Sequence, residues 1–450
     1  MKNVPLKQIA RHLGVVCERE ELIAGYRIDS RMVGPGELFF ALKGEKTDGH
    51  LHLAEVKARG ALAAVVSKGY SGPNFGLTLL AVEDVFGSLQ ELARDAIACS
   101  RAQIVEITGS VGKTTTKDFT ATLLEGKFRV GKTFSSYNTK LTLPICVLNL
   151  EGNEEIVVLE VGMSEPGDIG KMVRLIPPDV AVLTQIGWAH AAFFPDGLEG
   201  IARGKAEIFS HPKTKTAIFF HEFLEHRELI PQIQAQKLSF SLTDRSADYF
   251  LSEGELDERG VRAYRFDVPF RQPPILHDFL AAVSVARSFK MEWDDINRQV
   301  AKLQLPKMRF EQFEKEGIVF VNDAYNANPE SMKAALSNFP APKIGGKRIA
   351  VLGTMWPLGP FSRAKHEEIG QYAREFADHL LVLGQEALPL CEAFAEAKKP
   401  AEHFVDKKAV AERLRELMHP GDVVLVKGSR VMEMEKIFKL LGLENASSPS

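Results

Sequence analysis

The chain has 450 residues, 45% hydrophobic and 26% charged, the balance of a folded globular protein; that length excludes a single core and asks for roughly two to four domains. Its 56 basic and 59 acidic side chains leave a net charge of −3, so no basic surplus marks a nucleic-acid binder. No uncharged apolar run reaches the ~20 residues that span a bilayer, which predicts no membrane span. Cys17, Cys99, Cys146 and Cys391 lack CxxC or zinc spacing and read as reduced thiols, and the opening MKNVPLKQ lacks the apolar stretch of a signal peptide. Both features point to a cytoplasmic protein.

Residues 1–98 alternate short apolar runs, at 38–42 and 63–66, with helical patterns, which predicts a small α/β domain. A second block, 99–305, opens with the β-branched run 103–107, a candidate strand. Thr108-Gly109-Ser110-Val111-Gly112-Lys113-Thr114-Thr115-Thr116 follows, then a helical pattern over 117–125. A strand, a glycine turn and a helix N-terminus together present backbone N–H groups to an anion. Gly109, Ser110, Val111, Gly112, Lys113, Thr114 and Thr115 are therefore candidate ATP contacts. Lys113 can bring a positive charge to the terminal phosphates and Thr114 a hydroxyl to Mg²⁺. Ile107 stands where GxxxxGK[ST] has its first glycine, so the loop is a shortened form.

Continuous apolar runs at 156–159, 180–183 and 216–220 predict a mainly parallel sheet covered on both faces. Glu160 ends the first of them, where an open parallel sheet faces its ligand crevice; a carboxylate there can hold Mg²⁺, or be merely the first polar residue after a strand. His190 follows the 180–183 run, whereas Lys205 lies in a helical stretch and reads by itself as a solvated lysine. The third block, 306–450, has strands predicted at 318–321, 348–352, 380–383 and 423–426, alternating with helices such as 367–376, a doubly wound Rossmann-like pattern. Asp323 ends its first strand before a polar turn and a helix opening near Pro329, while Lys427 and Arg430 follow its last strand at the crevice edge. The polar tail 444–450 reads as disordered.

The TGSxGKTTT loop resembles the ATP loop of the Mur ligases, the ATP-dependent amide-forming enzymes of peptidoglycan synthesis. Three α/β domains with the nucleotide loop in the middle one is also their arrangement. Glu160-Val161-Gly162-Met163, continuing to Gly167-Asp168-Ile169, resembles the family's E-x-G-M-x-x-x-G-D-I, whose glutamate binds magnesium. Thr184-Gln185-Ile186-Gly187-Trp188-Ala189-His190 resembles T-N-I-G-x-A-H, which implies that His190 supports the metal site. Lys205 aligns with the family lysine that takes up carbon dioxide as a carbamate, an anionic oxygen ligand for a second magnesium ion. The resemblance thus implies Thr114, Glu160, His190 and Lys205 as the metal set, with Lys113, His190 and Lys205 catalytic. Arg309 matches the arginine of the family's G-R pair, with Met308 in place of glycine, and joins Asp323 and Asn326 as a nucleotide contact.

Asp323-Ala324-Tyr325-Asn326-Ala327-Asn328-Pro329-Glu330-Ser331-Met332 is similar to the D-x-Y-N-A-N-P-x-S-M of the D-alanyl-D-alanine-adding branch, and Val426-Lys427-Gly428-Ser429-Arg430 to its V-K-G-S-R. Implied substrate contacts are Asn138, Asn328, Lys427 and Arg430, with Ser30, Arg31, Lys43 and Asp48 at the UDP end. The domains would bind the UDP substrate (1–98), ATP (99–305) and the incoming dipeptide (306–450). The implied reaction is phosphorylation of UDP-N-acetylmuramoyl-tripeptide by ATP, then attack by D-alanyl-D-alanine on the acyl phosphate, in an expected monomer. Three segments depart from the pattern. Ser136 to Pro144 keeps only Asn138 and Pro144 of the special positions, Ile275 replaces an amide on the adenine side, and Thr354 and Pro357 replace two acids. Those changes leave open a Mur-type ligase with another acceptor, or a nucleotide-binding regulatory protein that no longer ligates.

Overall fold

The computed structural model describes residues 2–44 and 47–443. The expected disordered tail at 444–450 lies outside the described residues.

In the N-terminal region four short parallel strands pair in the order Tyr26–Arg27, Leu38–Phe40, Ala63–Ser67, Thr78–Val82. The helix Val85–Cys99, N-capped by the Asp84 side chain, packs Leu89, Ala93 and Ala96 against this sheet and leads into the central region.

The central sheet has nine strands. From one edge, Val130–Lys132, Ile156–Glu160, Gln103–Thr108, Val180–Leu183, Thr216–Phe220, Gln236–Ser241 and Tyr249–Ser252 run parallel, and an antiparallel hairpin, Glu255–Glu258 with Val261–Arg265, closes the other edge. Every residue of Ile156–Glu160 and Val180–Leu183 is buried, as expected for strands covered on both faces. The topology reverses at Gln103–Thr108: the next two strands lie on one side of it and the later ones on the other. Such a switch point opens a crevice at the carboxyl ends of the strands. Register places Glu160 beside Ile107 and Leu183 beside Thr108, so the loops after all three strands leave at one level.

The C-terminal sheet orders its strands Glu311–Lys315, Ile318–Asp323, Val423–Lys427, Arg348–Gly353, His379–Leu383, Ala401–Phe404. All neighbours are parallel except the first pair. That first strand, EQFEK, carries only one apolar residue, which is why its sequence gave no strand signal. Asp323 and Lys427 become cross-strand neighbours at the carboxyl edge. The architecture is α/β in three parts, with a mainly parallel central sheet and a mixed C-terminal one.

Glu106 sits in the middle of the Gln103–Thr108 strand, 0% exposed, with neither carboxyl oxygen hydrogen-bonded among the described residues. Burial pushes its carboxyl well above the usual range, so it folds as the neutral acid. The unfolded chain releases this proton above a pH of about 4.5, so the group weakens the fold progressively as pH rises beyond that value. Glu106→Met should therefore raise urea-unfolding stability at pH 7 by about 1–3 kcal/mol, with a smaller gain at pH 4.5. A destabilised variant at pH 7 would show that the carboxyl has a role in the core.

Candidate active site

The helix Lys113–Leu124 starts immediately after the glycine loop, one turn earlier than the sequence pattern suggested. Its N-cap is Gly112, in the left-handed region at φ +87°, and a Cβ there would stand 2.1 Å from Asp278 Oδ1. Only glycine meets both conditions. The loop is tied down from the neighbouring strand end. Ser110 N–H donates to the Gln185 carbonyl at 2.7 Å, and Ser110 Oγ lies 2.8 Å from the Gly187 carbonyl while accepting Gly187 N–H at 2.9 Å. The Thr184 hydroxyl donates to the carbonyls of Thr108 and Val111.

One cavity lies over this loop, lined on the central side by Ser110 to Thr115, Asn138, Glu160, His190 and Asp278. On the C-terminal side it is lined by Arg309, Asp323, Asn326, Asn328, Lys427 and Arg430. Gly109 and Lys205 are not in its wall, nor are Ser30, Arg31, Lys43 and Asp48, which stay in the N-terminal region. Within that region the Ser30 hydroxyl donates to Glu55, exposed Arg31 pairs with Asp29, Lys43 forms a β-bridge with Asp48, and Asp48 caps the turn at His50.

At the centre of the cavity, Arg309 donates to Thr114 Oγ1 at 2.8 Å, the Thr114 hydroxyl donates to Glu160 Oε2 at 2.7 Å, and Asn138 Nδ2 donates to Glu160 Oε1 at 2.7 Å. Three segments distant in sequence thus converge on the buried Glu160 carboxylate, two directly and Arg309 through Thr114. Lys113 Nζ donates back to the Gly109 carbonyl at 2.8 Å; burial lowers its pKa, with Glu160 acting against that shift. The Arg309 guanidinium lies over the Tyr325 ring, 4.3 Å from its centroid.

On the facing edge, Lys427 is clamped by Asp323 at 2.6 Å and by the Asn326 carbonyl at 2.9 Å. Asp323 also accepts the Phe310 N–H, and Arg430 pairs with Glu435 at 2.7 Å. The Asn328 side chain forms a capping box with Ser331 and so starts the helix Pro329–Ser337 as well as lining the cavity.

Lys205, on the helix Leu198–Ala206, is 2% exposed, and among the described residues no hydrogen bond or ion pair reaches its Nζ. Burial, with repulsion from Lys113, drives its pKa far below the ordinary range, so it is a neutral amine. His190 adopts a left-handed φ of +61°, uncommon for a residue with a Cβ. Burial, then Lys205 and Lys113, lowers its pKa to about 4, which leaves a neutral imidazole able to accept a hydrogen bond or ligate a metal. His277 is likewise lowered to about 4 by burial. In the unfolded chain both take up protons below 6.5, so the stability they support is complete above pH 6.5 and is lost as pH falls towards 4. The slope of unfolding free energy against pH should flatten over that window in His277→Asn; an unchanged slope would assign the acid sensitivity to other groups.

Asp278, which ends the same altered segment as Ile275, lines the cavity although the sequence reading gave it no role. It lies on the helix Pro273–Ser288, 7% exposed, with its carboxyl group against Gly112 at the start of the phosphate-loop helix. Burial raises its pKa well above the usual carboxylate value, with Arg309 and Lys113 acting against that shift. The signal available was an acid next to His277 at the start of the mostly apolar run 275–286.

Comparison with known proteins bears directly on this arrangement. The sequence patterns of the Mur ligase family match in three successive pieces: the catalytic domain at residues 22–103, the middle domain at 107–275 and the glutamate ligase domain at 308–430. The UDP-N-acetylmuramoyl-tripeptide–D-alanyl-D-alanine ligase of Bacillus subtilis is 30% identical over 93% of both chains. The chain belongs to the Mur ligase family. The Escherichia coli ligase of the same name is 31% identical over 92% of both chains. Among solved structures, a MurF of Acinetobacter baumannii superposes with a TM-score of 0.84 at 27% identity, covering 98% of each chain. The MurF ligase of Thermotoga maritima, solved in complex with ADP, superposes at 0.77 with 31% identity, covering 94% of this chain and 98% of that one. This Mur ligase therefore has the family's three-domain architecture, and among its described residues no helix is long and apolar enough to cross a membrane.

Proposed function

We infer that this chain is an ATP-dependent ligase that joins D-alanyl-D-alanine to UDP-N-acetylmuramoyl-tripeptide through an acyl phosphate, releasing ADP and phosphate. The observation that carries the inference is the single cavity in which Lys113, Thr114 and Glu160 of the ATP loop region face Asp323, Lys427 and Arg430 of the C-terminal region. Full-length likeness to ligases named for this reaction supports it.

The Thr114 hydroxyl, the Glu160 carboxylate and a neutral His190 make a donor set that suits Mg²⁺, a hard cation that prefers oxygen and retains waters. When bound, the ion supplies charge neutralisation at the γ-phosphoryl oxygens. Neutral Lys205 is the form of lysine that adds carbon dioxide, so carbamylation there would supply ligand oxygens for a second ion. Asn138 fixes one oxygen of Glu160 and leaves the other to Thr114.

The residues divide the remaining tasks. Lys113 and the N–H groups of Val111 to Thr115 hold the phosphates, and Arg309, stacked on Tyr325, adds a second cation on the same side. Asp323 and Asn326 hold Lys427 at the opposite rim, where Lys427 and Arg430 meet the dipeptide carboxylate. Ser30, Arg31, Lys43 and Asp48 are assigned to the UDP end and residues 1–98, 99–305 and 306–450 to the UDP substrate, ATP and dipeptide respectively. The protein acts as a cytoplasmic monomer. The terminal carboxylate oxygen takes the γ-phosphoryl group; the dipeptide amine then attacks the carbonyl carbon, and the C–O bond to phosphate breaks. With ¹⁸O in that carboxylate, one labelled oxygen must appear in the released phosphate. Unlabelled phosphate alongside amide product would exclude the acyl phosphate.

A further inference from the structure

The family motifs leave Trp188 and Glu330 at variable positions, yet these two residues join the central and C-terminal regions. Glu330 is the second residue of the helix Pro329–Ser337, and its Oε2 accepts the Trp188 N–H at 2.9 Å. Its carboxyl group lies so close to Gly187 that a Cβ there would stand 2.5 Å from it. Trp188 in turn packs against Phe361, with ring centroids 4.8 Å apart and planes tilted by 55°, and Lys365 Nζ lies 4.4 Å from its ring centre. Lys365 is itself held by Glu368 at 2.7 Å. Four residues after Trp188, the same loop meets the C-terminal region again, at Ala192 against Pro357 and Gly359.

Between these two anchor points lies His190, in its left-handed conformation. Before them lies Gly187, whose N–H and carbonyl both bond Ser110 of the phosphate loop. A continuous path therefore runs from a C-terminal carboxylate through one backbone N–H to the phosphate loop on one side and to His190 on the other. We propose that Glu330 is a positioning residue for phosphoryl transfer. By accepting the Trp188 N–H, it fixes the Gln185–His190 loop, and with it Ser110 and His190, only when the C-terminal region is docked. An acceptor oxygen at that position is what the arrangement requires, because the partner is a backbone N–H. The cost of losing it is loop misplacement, and displacement of about 1 Å remote from the chemistry can lower turnover by about 10–100-fold.

This proposal rests on the ligase reading, so its test has one readout that depends on ligation and one that does not. The full chain would carry Trp293→Phe and Trp356→Phe, leaving Trp188 the single tryptophan of the three. Glu330→Ala and Glu330→Gln would be compared in this background for acrylamide quenching of Trp188, and for kcat and KM in ligation. Glu330→Ala should raise the quenching constant about twofold or more and lower kcat by about 10–100-fold, with each substrate KM within about threefold. Glu330→Gln, which keeps the acceptor oxygen, should stay within about threefold of the parent in both. Unchanged quenching in Glu330→Ala would overturn the proposal. So would a change confined to KM, or equal damage in Glu330→Gln. Absence of ligation in the parent would refute the function reading instead, and the quenching comparison would still decide whether Glu330 holds the loop.

Discussion

Lys113→Ala should lower ligation by about 10²–10³-fold or more while the protein stays folded. Lys113 is the first residue of its helix, and its amine now rests on the Gly109 carbonyl within the turn of the loop. Removing it should take away the cation we assign to the γ-phosphoryl group without emptying an apolar core, since Lys113 lines the cavity. Arg309 cannot replace it, because the guanidinium is held over Tyr325 and bonded to Thr114. Lys113→Arg should also fail, since a planar guanidinium does not reproduce the compact ammonium that bonds the Gly109 carbonyl. Steady-state phosphate release, with a thermal melt of the same preparation, checks both points. Turnover within a few-fold of the parent would remove Lys113 from the chemistry.

Lys205→Met should be comparably damaging, for a different reason. The amine is buried, neutral and without a partner among the described residues, a costly state for a lysine unless the side chain is modified or used. Methionine keeps the volume and removes the nitrogen, so stability should hold or rise while ligation falls by about 10²-fold or more. With ¹³C-labelled carbon dioxide, a carbamate resonance should appear in the parent and be missing in Lys205→Met. A variant with full activity, or a parent with no such resonance at saturating substrate, would leave Lys205 a structural residue.

The parts of this site that are local in sequence were legible in it. The phosphate loop could be read because strand, glycine turn and Lys-Thr pair follow one another within 103–116, and Glu160, Asp323 and Lys427 could be read because each ends an apolar strand. The strands at 180–183 and 216–220 match their patterns residue for residue, since a strand buried on both faces leaves a continuous apolar run. Less visible were elements with mixed composition. The hairpin at 255–265 and the strand Glu311–Lys315 are mostly charged and partly exposed, and the helix predicted at 367–376 starts at Ser362, across a polar first turn. Asp278 acts through burial and Glu330 through a partner 142 residues away, and neither relation has a signature in local spacing. The altered Thr354 to Gly359 segment looked like a loss of acids; in the structure it is the surface that meets Ala192.

The most direct measurement is phosphate release and product mass for the purified chain with ATP, Mg²⁺, UDP-N-acetylmuramoyl-tripeptide and D-alanyl-D-alanine, each omitted in turn. The account predicts release only when all four are present, together with a UDP-N-acetylmuramoyl-pentapeptide product. Binding of ATP and the UDP substrate with no phosphate released and no pentapeptide formed would contradict it and mark the chain as a regulatory relative.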